Sequence, residues 1–476
     1  MTELSREVVV VDPVVSVAEV AKFDRELAEQ GATSAVIDRV GYALAQTAIS
    51  LLGGTYGRRV LIVAGRGNNG NDGRSMGRHL NRLGVSTLVV EPEAMPLLSM
   101  GPQPDLVVDA ILGTGLTRPF DPPKLPDGVP VLSVDLPSGI SADTGELVGE
   151  AIYADYTAVI GALKFGHLFG PGRERSGRLV RILPELRPVD SRCYLVTARD
   201  LGAVIPEVPA QSHKWSAGVM VVGGSAGMRG SAGFGAGGAM AVGAGMVHLV
   251  TRAEPSEMID HPSEVVVDRL ESYFAEPVVA ASRRFRSIVL GPGLGGSLQI
   301  GNFVRRLLVD TDCPIVLDAD GLTCFRDTAN LARTLTRRRA PTILTPHHGE
   351  FERVFGPIEG SPVVACSQAA IDTGAVVLLK GSPTIIADPS GAVALSAVGT
   401  AKLASAGTGD VLAGVIAGLL AQGMSAYEAA WVGAYLHGAA GAGVATGKVT
   451  ATSLVEAIAR YYGSLNCVSP AQELLR

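Results

Sequence analysis

A chain of 476 residues exceeds what one hydrophobic core normally serves, so two domains are expected. An apolar share of 47% with 18% charged residues excludes a disordered chain. A formal net charge of −6 gives no reason to expect nucleic acid or an acidic membrane surface as partner. The most apolar stretches, 219–250 and 411–422, are Gly-broken or too short to span a bilayer, so no membrane association is expected. The N-terminus MTELSREVVVVDP has acidic residues and no signal-peptide shape. Cys193, Cys313, Cys324, Cys366 and Cys467 are scattered, odd in number and without metal-ligand spacing, which reads as reduced, mostly core thiols of a cytoplasmic protein. The 59 glycines gather in clusters after apolar runs, a pattern of many ligand-facing loops.

In chain order, residues 17–52 read as helix, with Val20, Phe23 and Leu27, then Val36, Ile37, Val40 and Leu44, recurring at threes and fours. Residues 60–64 form a short apolar run suited to a buried parallel strand. It ends in a Gly/Asn loop over 65–73, GRGNNGNDG, followed by helix to Leu83. Further strand ends follow at 106–111, 131–135 and 158–163, running into GTGLTRP, LPSG and KFGHLFGPG. Four strand ends aimed at one edge predict one crevice in an α/β sheet.

The loop lacks the G-x-G-x-x-G spacing of a dinucleotide fingerprint. Instead Asn68, Asn69, Asn71 and Asp72 offer oxygen acceptors and N–H donors together, suited to hydroxyls, phosphates and a hard cation. An Asn/Gly turn tolerating left-handed backbone is the plain alternative. Asp109 and Asp135, however, finish neighbouring strands, and two acids at one sheet edge are costly unless used. That favours a ligand site.

Residues 183–212 are punctuated by prolines, placing the boundary near residue 190 and the domains at 1–190 and 191–476. Beyond it, a strand at 219–222 ends in GGSAG, and a long small-residue helix follows; tight packing is the plain account of most of its glycines. Strands at 287–290, 315–317, 342–344 and 375–379 run into GPGLG, DADG, TPHHGE and KGSPT. The alternation predicts a doubly wound sheet. Last comes Ala406-Gly407-Thr408-Gly409, then Asp410 and an apolar helix. Glycines there let backbone N–H groups converge on an anion at the positive helix end. A carboxylate beside such a hole is what phosphoryl transfer to a hydroxyl needs, although Asp410 also fits an ordinary N-cap. His347 alone reads as a surface or core histidine, Lys380 as solvated, and Asp318 and Asp320 as helix caps. Their convergence on one edge favours a nucleotide site, with Lys380 as a point charge for phosphate and the acids holding Mg²⁺ directly or through water.

The motifs GRGNNGNDG, DAILGTGL, VDLPSG and GALKFGHLFGPG together resemble the NAD(P)H-hydrate epimerase domain, a Rossmann-like fold, over about residues 10–185. The resemblance implies that Asn68, Asn69, Gly70, Asn71 and Asp72, and Gly113, Thr114, Gly115, Leu116, Thr117, Arg118 and Pro119, contact the hydrated dinucleotide. Asp135 belongs to the same implied site. A potassium ion on Asn69, Asp109 and Ser138 is also implied, and those oxygen donors suit a hard cation. Asp135 is the candidate acid/base for epimerisation, with Lys164 as its partner. Asn71 stands where this family commonly has Gly.

The motifs HKWSAG, GGSAGMRGSA, GPGLG, LDADGL, TPHHGE, KGSPT and AGTGDVLAG resemble the ribokinase-like NAD(P)H-hydrate dehydratase domain over about 195–465. The resemblance implies that Ala232, Gly293, His347 and Asp410 contact the substrate, and that Lys380, Gly381, Ser382, Pro383, Thr384 and Gly409 contact the adenine nucleotide. Trp215, Met228 and His348 depart from the family pattern and bear on packing around the substrate ring and nearby loops.

Together the resemblances imply a fused repair enzyme for NADH hydrate and NADPH hydrate: an α/β, Rossmann-like domain followed by a ribokinase-like doubly wound one. The first epimerises the R and S hydrates. The second dehydrates the S form with Mg²⁺ and ADP, giving AMP and phosphate; the choice of ADP over ATP comes from the resemblance alone. Partners are small molecules, and a homo-oligomer is expected. One rival is a ribokinase-like kinase of a vitamin-precursor alcohol. The other is a non-catalytic, nucleotide-binding first half.

Overall fold

The computed structural model describes residues 12–97, 102–188, 191–207, 209, 211–225, 227–252, 261–445 and 447–466. The N-terminal segment 1–11, Ala226 and Cys467, read above from sequence, lie outside the described residues. The chain forms two compact units, Asp12–Cys193 and Tyr194 onward.

In the first unit, β1 (Asp12–Val15) leads to α1 (Val17–Glu29) and α2 (Thr33–Leu52). The single helix expected over 17–52 is therefore two, because Gly31 turns the chain at φ +68. Next come β2 (Arg59–Ala64), α3 (Asn68–Arg82), β3 (Ser86–Val90), β4 (Leu106–Ala110) and β5 (Val131–Val134). The unit continues with β6 (Tyr156–Ile160), β7 (Leu163–Lys164), α4 (Gly170–Arg175) and β8 (Arg178–Ile182). The sheet runs β3-β2-β4-β5-β6-β8, all parallel. Burial on both faces explains why β2 and β4 read as unbroken apolar runs. The strand expected over 158–163 is split by Gly161, at φ +66, and β7 pairs with β1 instead of the main sheet. Val40, Leu44, Ala48, Met76 and Leu80 of α2 and α3 cover Ile62 and Val108 in one core.

The expected Gly/Asn loop also differs: Asn68 to Asp72 are already the first turns of α3, capped by Gly67. Helix forms there because its glycines admit the sheet. A Cβ at Gly70 would meet the Gly65 carbonyl at 1.9 Å, and one at Gly73 the Ala110 methyl at 2.6 Å.

The second unit opens with β9 (Cys193–Leu195), at the boundary, and α5 (Ala198–Val204). Then follow β10 (Gly218–Val222), α6 (Arg229–Ala241), β11 (Met246–Thr251), β12 (Val266–Arg269), α7 (Ala275–Ser282), β13 (Ser287–Leu290) and α8 (Leu298–Asp310). Continuing are β14 (Ile315–Leu317), α9 (Ala319–Thr323), α10 (Thr328–Leu335), β15 (Thr342–Leu344), α11 (His348–Phe355) and α12 (Pro362–Thr373). Last are β16 (Val376–Leu379), β17 (Thr384–Ala387), β18 (Val393–Ser396), α13 (Thr408–Ala421), α14 (Ala426–Ala442) and α15 (Ala451–Asn466). The strand order is β12-β11-β10-β13-β14-β15-β16-β17-β18, parallel through β16 and antiparallel after it. From Val411 to Ala421 every residue of α13 is buried, as a helix apolar all round requires. A Cβ at Gly414 would meet the Gly235 carbonyl at 1.9 Å, so α6 and α13 touch backbone to backbone. Among the described residues no helix is long and apolar enough to cross a membrane.

Candidate active sites

Both sheets change winding direction once, and each site forms where they do. In the first unit β2 pairs with β3 on one side and β4 on the other. A crevice opens at such a point because the following loops diverge. Here Gly65 N–H donates to the Ala110 carbonyl at 3.0 Å, and a Cβ at Gly65 would meet the Ile111 carbonyl at 2.0 Å. The adjoining cavity measures about 580 Å³. Asn68, Asn69, Asp72, Gly113, Thr114, Gly115, Asp135 and Lys164 line it. Gly70, Asn71, Leu116, Thr117, Arg118 and Pro119 are not among its walls. Gly70 packs on the sheet instead, while Asn71, Thr117, Arg118 and Pro119 are exposed.

Lys164 Nζ donates to Asp135 Oδ1 at 2.5 Å and to the Ile160 carbonyl at 3.0 Å. Lys164 is only 3% exposed, so it is no solvated strand-end lysine. Asp135 holds φ at +66, a conformation an L side chain adopts at a cost, and its peptide is clamped on both sides. Its N–H donates to the Ala158 carbonyl, and its carbonyl accepts from His167 Nε2 at 2.6 Å. His167 Nδ1 accepts the Lys164 N–H at 2.9 Å, which assigns the proton to Nε2. Burial, then the Lys164 charge, hold the His167 pKa down to about 4, so the ring is neutral. Asp72 is pushed up to about 8, first by burial, then by Asp135 and Asp24.

Beside this cluster, Asp109 Oδ1 accepts from Ser138 Oγ at 2.6 Å, and Oδ2 from Ser138 N–H and Ser133 Oγ, both at 2.9 Å. Asn69 Nδ2 donates to the Leu112 carbonyl at 2.9 Å, and Leu112 N–H to Ser138 Oγ at 2.9 Å. Asn69, Asp109 and Ser138 thus meet around Leu112. Burial raises the Asp109 pKa, and among the described residues no basic side chain forms an ion pair with it. Amide, carboxylate and hydroxyl oxygens around a buried acid lacking such a counter-charge fit a hard monovalent cation. Among the described residues no group of three or more His, Cys, Asp or Glu is arranged to hold a metal.

In the second unit β10 pairs with β11 and β13, and the loops beyond it meet: Gly224 N–H donates to the Pro292 carbonyl at 2.8 Å. Gly293, at φ +65, lies against the Met228 carbonyl, which its Cβ would meet at 2.9 Å. Gly407, at φ +83, caps α13, so Asp410 is not the N-cap; it stands inside the first turn. Its carboxyl is pushed up to about 7 by burial and by Asp318, against a hydrogen bond from Ser231 and the charge of Lys380. Lys380 Nζ lies 2.8 Å from Asp318 Oδ1 and 4.0 Å from Glu350 Oε2, and a Cβ at Gly409 would meet it at 3.3 Å. Burial works against the lysine charge, yet Asp318 and Glu350 outweigh it and raise the pKa. The lysine is therefore a partly buried member of the site. Asp318 makes no side-chain cap bond to α9; it receives Lys380 and Thr345 Oγ1, whereas Asp320 accepts the Gly295 N–H.

His347 caps α11: Nδ1 accepts from the N–H groups of Gly349 and Glu350, and Glu350 Oε2 accepts the His347 N–H. One ring nitrogen is committed, while the side chain stays 60% exposed. Ala232 is fully buried under Gly223 and Gly224, so its methyl is closed to a ligand. Gly381 and Ser382 are exposed, Pro383 is buried, and Thr384 Oγ1 donates to the Gly381 carbonyl. Trp215 packs against Gly218, Phe285 and Arg284 at the start of β10, the edge opposite the site. Its departure from the family pattern therefore does not touch the substrate ring. His348 is exposed and pairs with Glu352. Sequence reasoning gave no role to Ser231, Glu350, His167 or Asp24. The first three lie within quoted motifs, and Glu350 has capping-box spacing from His347.

A family model described as NAD(P)H-hydrate dehydratase matches residues 219–461, and one described as YjeF-related protein N-terminus matches 33–99 and 83–166. The bifunctional NAD(P)H-hydrate repair enzyme of Mycobacterium tuberculosis is 36% identical over 403 residues, covering 79% of this chain and 82% of that protein. That of Thermofilum pendens is 32% identical over 484 residues, covering 90% and 91%. The structure of a ribokinase-like superfamily protein from Enterococcus faecalis matches 58% of this chain and 96% of its own, with TM-score 0.51 and 23% identity, which bears on fold alone.

Proposed function

The chain belongs to the family of bifunctional NAD(P)H-hydrate repair enzymes, and from that premise we propose how its own residues divide the work. Domain 1–190 interconverts the R and S hydrates, and domain 191–476 returns the S hydrate to NAD(P)H with a nucleotide.

The observation that carries this is shared by both units: each sets a carboxylate and a largely buried lysine among its strand-end loops. In the first, Asp135 moves protons at the hydrated ring carbon, with Lys164 holding its charge. Asn69, Asp109 and Ser138 would hold K⁺, which would supply a counter-charge to buried Asp109. The walls at Asn68, Asp72, Gly113, Thr114 and Gly115 bind the dinucleotide.

In the second, Asp410 takes the proton of the ring hydroxyl as that oxygen attacks the β-phosphorus of ADP and AMP leaves. Phosphate and a ring proton then depart, restoring the double bond. A pKa of about 7 suits a base working near neutrality. Lys380 and the first-turn amides at Gly409 face the phosphates, Gly381, Ser382, Pro383 and Thr384 the rest of the nucleotide, and Gly293 and His347 the substrate. Asp318 and Glu350 would hold Mg²⁺, which supplies charge neutralisation on the transferring group. We further propose a cytoplasmic homo-oligomer with small-molecule partners only.

The test is recovery of near-ultraviolet absorbance from mixed R and S NADH hydrate with ADP, Mg²⁺ and K⁺. Both epimers recovering, with AMP formed, is expected. Recovery of the S portion alone would reduce the first unit to a binding module. A stable phosphorylated product would put the kinase reading first.

A further inference from the structure

One helix of the first unit breaks the rule that buries every other. The residues of α1 that face the cavity are Val17, Val20, Ala21, Asp24 and Leu27, with Phe23 beside them. Their spacing of three and four makes one helical stripe. A stripe of that kind normally seals onto a core, yet α1 has no buried residue: Val17 packs on the Leu136 and Ile140 cluster, and the stripe beyond it faces the cavity. At the centre of the stripe stands a carboxylate. Asp24 is exposed, so it stands where the cavity wall opens to solvent.

The helix is held in this position at its N-terminal end. Ser16 and Glu19 form a capping box, and Val17 N–H donates to Asp143 Oδ1 at 2.8 Å. The titratable and charged groups on the cavity wall with Asp24 are Arg66, Asp72, Asp135 and Lys164, and burial followed by the Asp135 charge raises the Asp24 pKa. The Asp24 carboxyl itself disfavours a phosphate beside it and favours an uncharged O–H or N–H donor.

We infer that Asp24 is a substrate-binding residue of the first site, accepting a hydrogen bond from a hydroxyl or amide N–H of the hydrated dinucleotide while the apolar stripe of α1 covers the ring. This role rests on the epimerase reading of that site. Asp24 binds and does not move the reacting proton, so its loss acts on KM more than on kcat.

The experiment follows the R-to-S ratio of NADH hydrate by chromatography with the full-length chain, K⁺ present and ADP omitted. Asp24→Asn is expected to raise KM about tenfold or more, with kcat within about twofold. Asp24→Leu, which completes the apolar stripe, is expected to raise KM at least as far while leaving Tm equal or higher. Glu26→Gln, on the exposed side of α1, serves as control and leaves both parameters unchanged. Unchanged KM in both Asp24 variants overturns the role, as does a fall in kcat alone or a lowered Tm in both. A wild-type chain that leaves the ratio fixed removes the epimerase reading with it, whereas an active wild type with unaffected variants removes only the role of Asp24.

Discussion

Lys164 Nζ and Asp135 Oδ1 stand 2.5 Å apart, the lysine on a two-residue strand and the aspartate at a left-handed position after β5. Neither reaches the other through sequence proximity; β7 pairs with β1, outside the main sheet, and so carries the lysine back over the strand ends. Removing either partner leaves a largely desolvated charge unpaired. Lys164→Met and Asp135→Asn are each expected to lower R-hydrate turnover about a hundredfold or more, leaving S-hydrate turnover unchanged. Separate assays on the two epimers check this, and equal loss on both would contradict it.

In the role proposed for Asp410, a base, the deprotonated form is the active one. With a pKa of about 7, the limb of kcat/KM for S hydrate falls as pH drops below 7. Asp410→Asn is expected to lower that turnover about a hundredfold or more and to abolish this limb, which a pH–rate profile on S hydrate reads directly.

Asp72 gives a stability prediction. Its pKa rises from 3.8 to about 8 on folding, so within that window the folded chain binds more protons than the unfolded one. Stability is then lost as pH rises through it. Asp72→Asn is expected to raise the Tm of the first unit's transition at pH 8, with the gain vanishing toward pH 4; calorimetry across pH tests it.

Gly414 has no room for a methyl group, because its Cβ would meet the Gly235 carbonyl at 1.9 Å. Gly414→Ala must separate α6 from α13, at a cost of about 1–3 kcal/mol. The shift displaces Asp410 from Ser231, so dehydration falls together with the Tm of the second unit while R-to-S conversion persists.

Ion exchange isolates the oxygen cluster around Leu112. Replacing K⁺ with tetramethylammonium is expected to slow R-to-S conversion and leave S-hydrate turnover unchanged. Ser138→Ala is expected to blunt the response, which a K⁺ titration of both steps measures.

The sequence by itself determined the parallel α/β architecture and most of the loops that bear the sites, because buried strands such as 60–64 and 287–290 are unbroken apolar runs ended by Gly or Asp. It also carried Asp135, Asp410 and Lys380 as candidates, since acids and a lysine after apolar strands stand out locally. Only the tertiary structure decided what those residues face. Gly73 looked like loop flexibility and proves to be helix–sheet contact, against Ala110 on a strand far along the chain. Lys380 was legible as a charge for phosphate, but not its pairing to Asp318, 62 residues away. Trp215 looked close to the ring and lies at the other edge of the sheet. Local pattern fixes which side of an element is apolar; which polar groups meet depends on the order in which strands pair, and that is a property of the whole sheet.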